Sequence, residues 1–347
     1  MGDAHTGVAR GRAEVVRELH AAVPLARDLR APLTASAPWL TTVLSVQSAH
    51  RRPRLTPVAV VAGPRGSGGP DGLALLALAT AGPVVTATLL GDGLPVPGGR
   101  PAARLLARDD DAADRLAAGM LGVLTALRRP WRMRLTGLPL GDPTVRALVR
   151  RRPDAVVASA RSARLVDDLD ALPADALPAG GLVRSRDARD LDAALPGLLA
   201  GVRDRRTTDL VRAAARLHAA AGRLEVATVR DGGRLCAGLL TLLDGGDRLP
   251  WWGRSEVGGL REERGAPLVG VSLSGRGSVV RAVVDRVVPL LPGGSPPPPA
   301  PQPAGRNRLS SGSGSESARS VPRNSVPSAG ASPSRGGPAG ATVTLRS

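Results

Sequence analysis

Few side chains in this sequence are equipped for acid–base or nucleophilic chemistry. The best placed is Glu225, inside the run LEVATV from Leu224 to Val229. A carboxylate within an otherwise apolar strand should have a raised pKa, which suits deprotonation of an amine. An outward-facing residue on a half-exposed strand is the other reading. Glu256 and His218 complete the acid–base candidates of this region. Cys236, the single cysteine, lies in the most apolar strand of the chain, where a thiol is a buried structural residue rather than a nucleophile. His5, His20, His50 and His218 show no metal-ligand spacing, so no metal site is expected. Trp251 and Trp252, between Arg248 and Arg254, either stack on an adenine or RNA base or pack in the core.

The elements that must position these residues are legible from Asp209 to Trp252. Leu210, Ala214, Leu217 and Ala221 recur at helical spacing, with Thr207 or Thr208 available as N-cap and Gly222 where a left-handed C-cap belongs. Leu224, Val226 and Thr228 then alternate with Glu225, Ala227 and Val229, and Asp231-Gly232-Gly233 supplies a hairpin turn. Leu235 to Leu243 is apolar on both faces, which predicts a strand central in its sheet.

A helix ending in GRLEVATV, followed by RDGGRLCAGLLTLLDGGDRL and an aromatic pair, resembles the core of GNAT-type acyltransferases, in the branch allied to FemAB and BioF-like acetyltransferase domains. The resemblance implies an α/β protein with mixed sheets and N-acyl transfer to an amine acceptor, a small molecule or a peptide. Acyl-CoA is the implied donor and aminoacyl-tRNA the second, with no tightly bound cofactor. In this class a helix N-terminus carries the donor pyrophosphate. That points to Arg254, Gly258 and Gly259 in GRSEVGGL, or to Gly275 and Gly277 in SGRGSVV. Neither has the family's spacing and residue types together: Ser272 stands where Arg or Gln is expected, and the family's Tyr- and Lys-bearing C-terminal motif is missing. The competing expectation is a degenerate fold kept for partner or polyanion binding.

The chain of 347 residues has room for two domains, each with its own core. It contains no Phe, Tyr, Lys or Ile, a skew expected of a GC-rich genome of actinobacterial type, so the core must be built from Leu, Val and Ala. The net charge of +17 would invite a polyanion reading, but Arg is dispersed without a block of like charge. Nucleic acid other than tRNA is therefore not expected. The N-terminus has no apolar signal core, and the uncharged run from Gly72 to Gly91 reads as two strands about Gly82-Pro83 rather than a span, so a cytoplasmic protein without membrane contact is expected.

In chain order the sequence predicts a helix over Gly11–Arg30 ended or kinked at Pro24, a second capped by Ser36, strands at Thr56–Ala62 and after Gly72, and an amphipathic helix from Asp111 to Arg129. Strand, helix and strand follow from Trp131 to Asp167. Residues 1–170 form a first GNAT-like domain in this reading and 171–291 a second in tandem, beginning with the ALPADALPAGG linker. Within the second, a helix broken at Pro196-Gly197, a short helix at Leu260–Arg264, a strand at Pro267–Ser274 and a helix at Ser278–Leu290 are expected. Residues 292–347, rich in Pro, Gly, Ser and Arg, are expected to be disordered.

Overall fold

The computed structural model describes residues 6–50, 55–63 and 69–276. The expected helix at Ser278–Leu290, Gly277 and the tail lie outside them. What is described is the mixed α/β protein expected, built on two successive sheets.

The chain opens with β1 (Thr6–Arg10), α1 (Arg12–Ala21), α2 (Val23–Asp28) and α3 (Ala37–Ala49). Pro24 sits in the first turn of α2, where its missing N–H costs nothing, so it separates two helices instead of kinking one. Ser36 holds the N-cap position of α3, but its hydroxyl accepts no cap bond. Next come β2 (Leu55–Ala62), β3 (Gly72–Ala81), β4 (Val84–Leu89), β5 (Leu106–Ala107) and α4 (Asp110–Thr125). Gly82, at φ 60°, makes the expected turn between β3 and β4. No described helix is long and apolar enough to cross a membrane. β6 (Trp131–Pro139) alternates as expected, burying Trp131, Met133 and Leu135 and exposing Arg132 and Arg134. α5 (Pro143–Arg151) starts on Asp142, whose carboxylate accepts from the Thr144 and Val145 N–H groups, and leads to β7 (Val156–Asp167).

The second sheet contains β8 (Leu182–Ser185), followed by α6 (Ala188–Leu198) and α7 (Arg205–Ala220), then β9 (Leu224–Asp231), β10 (Arg234–Asp244) and β11 (Asp247–Ser255). Its order is β11-β10-β9-β8, antiparallel throughout. β10 is flanked on both sides, as its two-faced apolarity demands. Asp231 pairs with Arg234, so Gly232 and Gly233, both at positive φ, form the hairpin loop by themselves. Gly222, at φ 65°, closes α7 as expected, but the N-cap is Asp204 and not Thr207 or Thr208. A carboxylate accepting two N–H groups is the better cap, because it also meets the helix dipole with charge. α6 runs through Pro196 instead of breaking there; its buried Leu191, Ala194, Leu195 and Leu198 hold it in place.

The last described element overturns the expectation of a short helix and a separate strand. Residues Leu260–Gly275 form one strand, β12, and it leaves the second sheet altogether. The first sheet runs β1-β2-β3-β4-β6-β12-β7, with β5 on β3. β12 pairs with β7 from Leu260–Asp167 to Ser272–Val156 and with β6 from Leu268–Pro139 to Gly275–Trp131, slipping register between Arg264 and Pro267. Pairing with β7 decides Leu260–Arg264, whose local sequence is indifferent between helix and strand, and from Leu268 to Ser272 the strand is held on both sides.

The core also differs from the expectation of two separate ones. One face of the first sheet packs on α4 and α5 around Leu116, Met120 and Met133. Its other face shares a continuous cluster with the second half: Val43 of α3 and Val61 of β2 belong with Leu195, Leu210, Val226, Leu240 and Trp251. Only the far face of the second sheet, around Leu169, Cys236 and Leu239, is a cluster of its own.

Candidate functional site

Glu225 is the second residue of β9, opposite Thr241 of β10, and it is buried. Neither expectation for it holds. It does not face outward, and it does not stand in apolar isolation. Arg248 at the start of β11 donates from Nη1 at 2.9 Å and from Nη2 at 2.5 Å, and Arg184 of β8 donates from Nη1 at 3.2 Å. Burial works to raise the Glu225 pKa, but the hydrogen bonds and charge of Arg248, then Arg184, outweigh it and hold the carboxyl below its ordinary range. A carboxylate stabilised in its ionised form is a weak base, the reverse of the property that made it a catalytic candidate.

Arg184 ties this pair to the first sheet. It donates from Nη1 to Asp167, the last residue of β7, at 2.9 Å, and grips Asp170 through Nε at 3.2 Å and Nη2 at 2.6 Å. Two guanidiniums and three carboxylates thus form one network. Its inner members are nearly dry, with 8% of the Glu225 side chain and 11% of Asp167 accessible.

The network floors a cleft of about 590 Å³. The remaining walls come from Arg164 and Leu165 of β7, Leu249 and Pro250 of β11, and the loop at Gly98–Arg100. That loop is pinned where β12 slips register: the Gly99 N–H donates to the Ala163 carbonyl at 3.1 Å and its carbonyl accepts from Ala266 at 3.0 Å. A Cβ on Gly98 would lie 1.8 Å from the Ala163 oxygen, so only glycine fits. Arg100 reaches Asp247, the first residue of β11, at 3.0 Å, and Arg164 is paired with Glu263 of β12.

The other expected site residues that the structure describes are not brought to this cleft. Arg254 donates to the Gly197 carbonyl at 3.1 Å and to Glu256 at 2.8 Å. Gly258 and Gly259, at φ 86° and 77°, form the turn into β12, so no helix stands behind them to supply a bundle of free N–H groups. Gly275 ends β12 against Trp131, whose ring a Cβ would meet at 2.4 Å. Glu256 is paired with Arg234 and Arg254. His218 is buried against Trp39, and burial, followed by the charge of Arg223, pushes its pKa down. Trp251 is core, its Nε1 donating to the Pro95 carbonyl at 3.2 Å; Trp252 donates to the Leu198 carbonyl at 3.2 Å.

The first sheet has a second notable place. β4 and β6 are parallel and pair only from Val85–Trp131 to Thr88–Arg134, after which β6 continues without β4 beside it. The chain's own loop meets β6 there: the Ala103 N–H donates to the Gly137 carbonyl at 3.2 Å, and Thr136 donates to Asp92 at 2.7 Å. α4, the helix that follows this loop, begins with Asp109, Asp110 and Asp111. Such a helix start attracts cations and repels phosphate.

Residues 168–256 match the family model described as an acetyltransferase (GNAT) domain. The match starts just past β7, ends just past β11, and contains Asp170, Arg184, Glu225 and Arg248. The match covers about a quarter of the chain. No curated protein matches the sequence. Among solved structures, it is similar to a tandem GNAT protein from the clavulanic acid biosynthesis pathway, determined without AcCoA, at 15% identity and a TM-score of 0.38, covering 78% of this chain and 98% of that one. A protein of Enterococcus faecalis V583, described as of unknown function and a probable N-acyltransferase, gives 8% identity and a TM-score of 0.33 over 77% of this chain and 72% of that one. A GCN5-related N-acetyltransferase of Sphaerobacter thermophilus gives 11% and 0.29 over 78% and 96%.

Proposed function

We propose that this protein is an N-acyltransferase of the GNAT type, acting on an amine with acyl-CoA as donor and aminoacyl-tRNA as the second candidate. The observation that carries the reading is the acetyltransferase domain match over 168–256, because the matched strands β8 and β11 supply Arg184 and Arg248 to the floor of the cleft and β9 supplies Glu225, the acid that both arginines meet beneath it. In the reaction a neutral amine nitrogen attacks the thioester carbonyl, the C–N bond forms, the thiolate leaves, and the amine proton passes to a base. Glu225 serves this reading as the anion that aims Arg184 and Arg248, not as that base. Residues 1–170 and 171–291 are read as two GNAT-like bodies in tandem, the second returning β12 to the sheet of the first.

A second reading has its own support. The acidic start of α4 and the loop lying along the part of β6 that β4 leaves free favour a fold kept without donor binding in the first body, as a partner-binding or polyanion-binding protein would have it. One experiment separates the two. Acetyl-CoA and a longer acyl-CoA are tested for thermal stabilisation of the full chain, which reaches about 1.4 kcal/mol at ten times Kd, and isotope-labelled donor is tested for transfer to an amine panel. Stabilisation with transfer supports the enzyme; neither with any donor supports the non-catalytic reading.

A further inference from the structure

The cleft floored by the Arg184 network has two tiers of charge, and they differ in how fully their hydrogen-bonding capacity is used. In the inner tier Arg184 engages Asp167, Asp170 and Glu225, and both Nη groups of Arg248 go to Glu225. In the outer tier Arg100, 57% exposed, gives one nitrogen to Asp247, and Arg164, 54% exposed, gives two nitrogens to a single oxygen of Glu263. A guanidinium has five N–H donors, so both outer arginines keep donors beyond these bonds. Asp170, also a lining residue, is 71% exposed and retains acceptor capacity beyond its grip by Arg184.

A network that only joined the two sheets would need no open volume beside it. Here about 590 Å³ lies open, within the range of small-molecule sites and far below what a folded partner or a duplex would need. The lining is of mixed sign, with each arginine sharing an acid, so it lacks the continuous positive field that a polyanion selects. A ligand of mixed sign fits such a lining.

We propose that this cleft binds a zwitterionic amine of amino-acid or short-peptide type, its carboxylate held by Arg100 and Arg164 and its ammonium drawn to Asp170. That this ligand is the acyl acceptor rests on the acyltransferase reading above; the binding itself does not. The inner network then fixes the position of Asp170 through Arg184, and the Gly98–Gly99 loop fixes that of Arg100.

The test uses the full chain without any acyl donor and two tripeptides, Ala-Ala-Ala and Ala-Ala-Glu, titrated by calorimetry to millimolar concentration. Each is compared with its C-terminal amide, which lacks the carboxylate, and its N-acetyl form, which lacks the ammonium. The expected result is saturable binding of a free tripeptide, at least tenfold weaker for either blocked form. The double substitution Arg100→Gln and Arg164→Gln should erase the preference for the free carboxylate, and Asp170→Asn the preference for the free amine, with the melting temperature of each variant confirming that it folds. No saturable binding of either tripeptide, equal binding of free and blocked forms, or unchanged preference in the variants overturns the site. Transfer of labelled acetyl to other amines with no tripeptide bound would remove the site and leave the acyltransferase reading. Tripeptide bound but never acylated by any acyl-CoA would do the opposite.

Discussion

The Asp167 carboxylate, at the end of the first sheet's edge strand, lies 2.9 Å from Nη1 of Arg184 in the second sheet. The same guanidinium meets Glu225 and Asp170, so one side chain holds acids from β7, β9 and the segment between the sheets.

Removing that guanidinium should be costly. Arg184→Met leaves Asp167 and Glu225 nearly buried with only Arg248 to share, and the expected loss is about 3 kcal/mol, in the range for a broken buried pair. Asp170→Asn, at an exposed partner of the same arginine, should cost under about 1 kcal/mol. Urea denaturation of both variants checks the contrast; equal losses would mean that burial does not govern the network.

The network also sets an acid limit on stability. Glu225 has its pKa lowered in the folded protein, while in the unfolded chain it titrates near about 4.3. Its contribution is fully present above that value and is lost as pH falls through the folded value. Glu225→Gln should therefore be less stable than the parent at pH 7 but show a shallower decline below about pH 4.5. Parallel curves of melting temperature against pH would contradict the assignment.

His218 acts in a higher window. Burial lowers its folded pKa, so between the unfolded value of about 6.5 and the folded one the unfolded chain binds more protons, and stability falls as pH falls. His218→Leu should flatten the stability curve between pH 7 and pH 5. A curve as steep as that of the parent would place the acid sensitivity elsewhere.

Two glycines should separate packing from strain. Gly98→Ala places a Cβ against the Ala163 carbonyl and should cost about 1–3 kcal/mol by forcing the loop off β7. A Cβ on Gly258 would meet nothing closer than Leu172 at 3.9 Å, so Gly258→Ala should cost the left-handed backbone penalty of about 1–2 kcal/mol, and Gly258→Val at least as much. Any stabilisation by acetyl-CoA should survive Gly258→Val, because the turn leads into a strand. Loss of that stabilisation with folding intact would return the donor to this turn.

The sequence made the second sheet readable because each of its signals is local. Gly222, the Gly232-Gly233 pair and the two-faced apolarity of β10 act within a few residues of where they stand. β12 was not readable as one strand, since its partners in β7 and β6 lie far upstream in the chain and its own residues do not choose between helix and strand. The site was half readable. An acid alternating into the dry face of β9 announces that some cation must meet it. Nothing in the local pattern says that Arg184 and Arg248 do so, or that Asp167 and Asp170 join them, because those residues meet only when the two sheets come together.

The return of β12 to the first sheet has a temporal side. A chain made from its N-terminus releases β7 long before β12, the one strand that flanks it among the described residues, and at about 5–20 residues per second the interval between Asp167 and Gly275 lasts roughly 5–20 s. For that time β6 and β7 stand as two open margins, each without the β12 pairing it has in the finished sheet. The first sheet is thus closed from behind, by a segment translated after the whole second sheet. Until that segment arrives, both margins present unpaired backbone N–H and C=O groups.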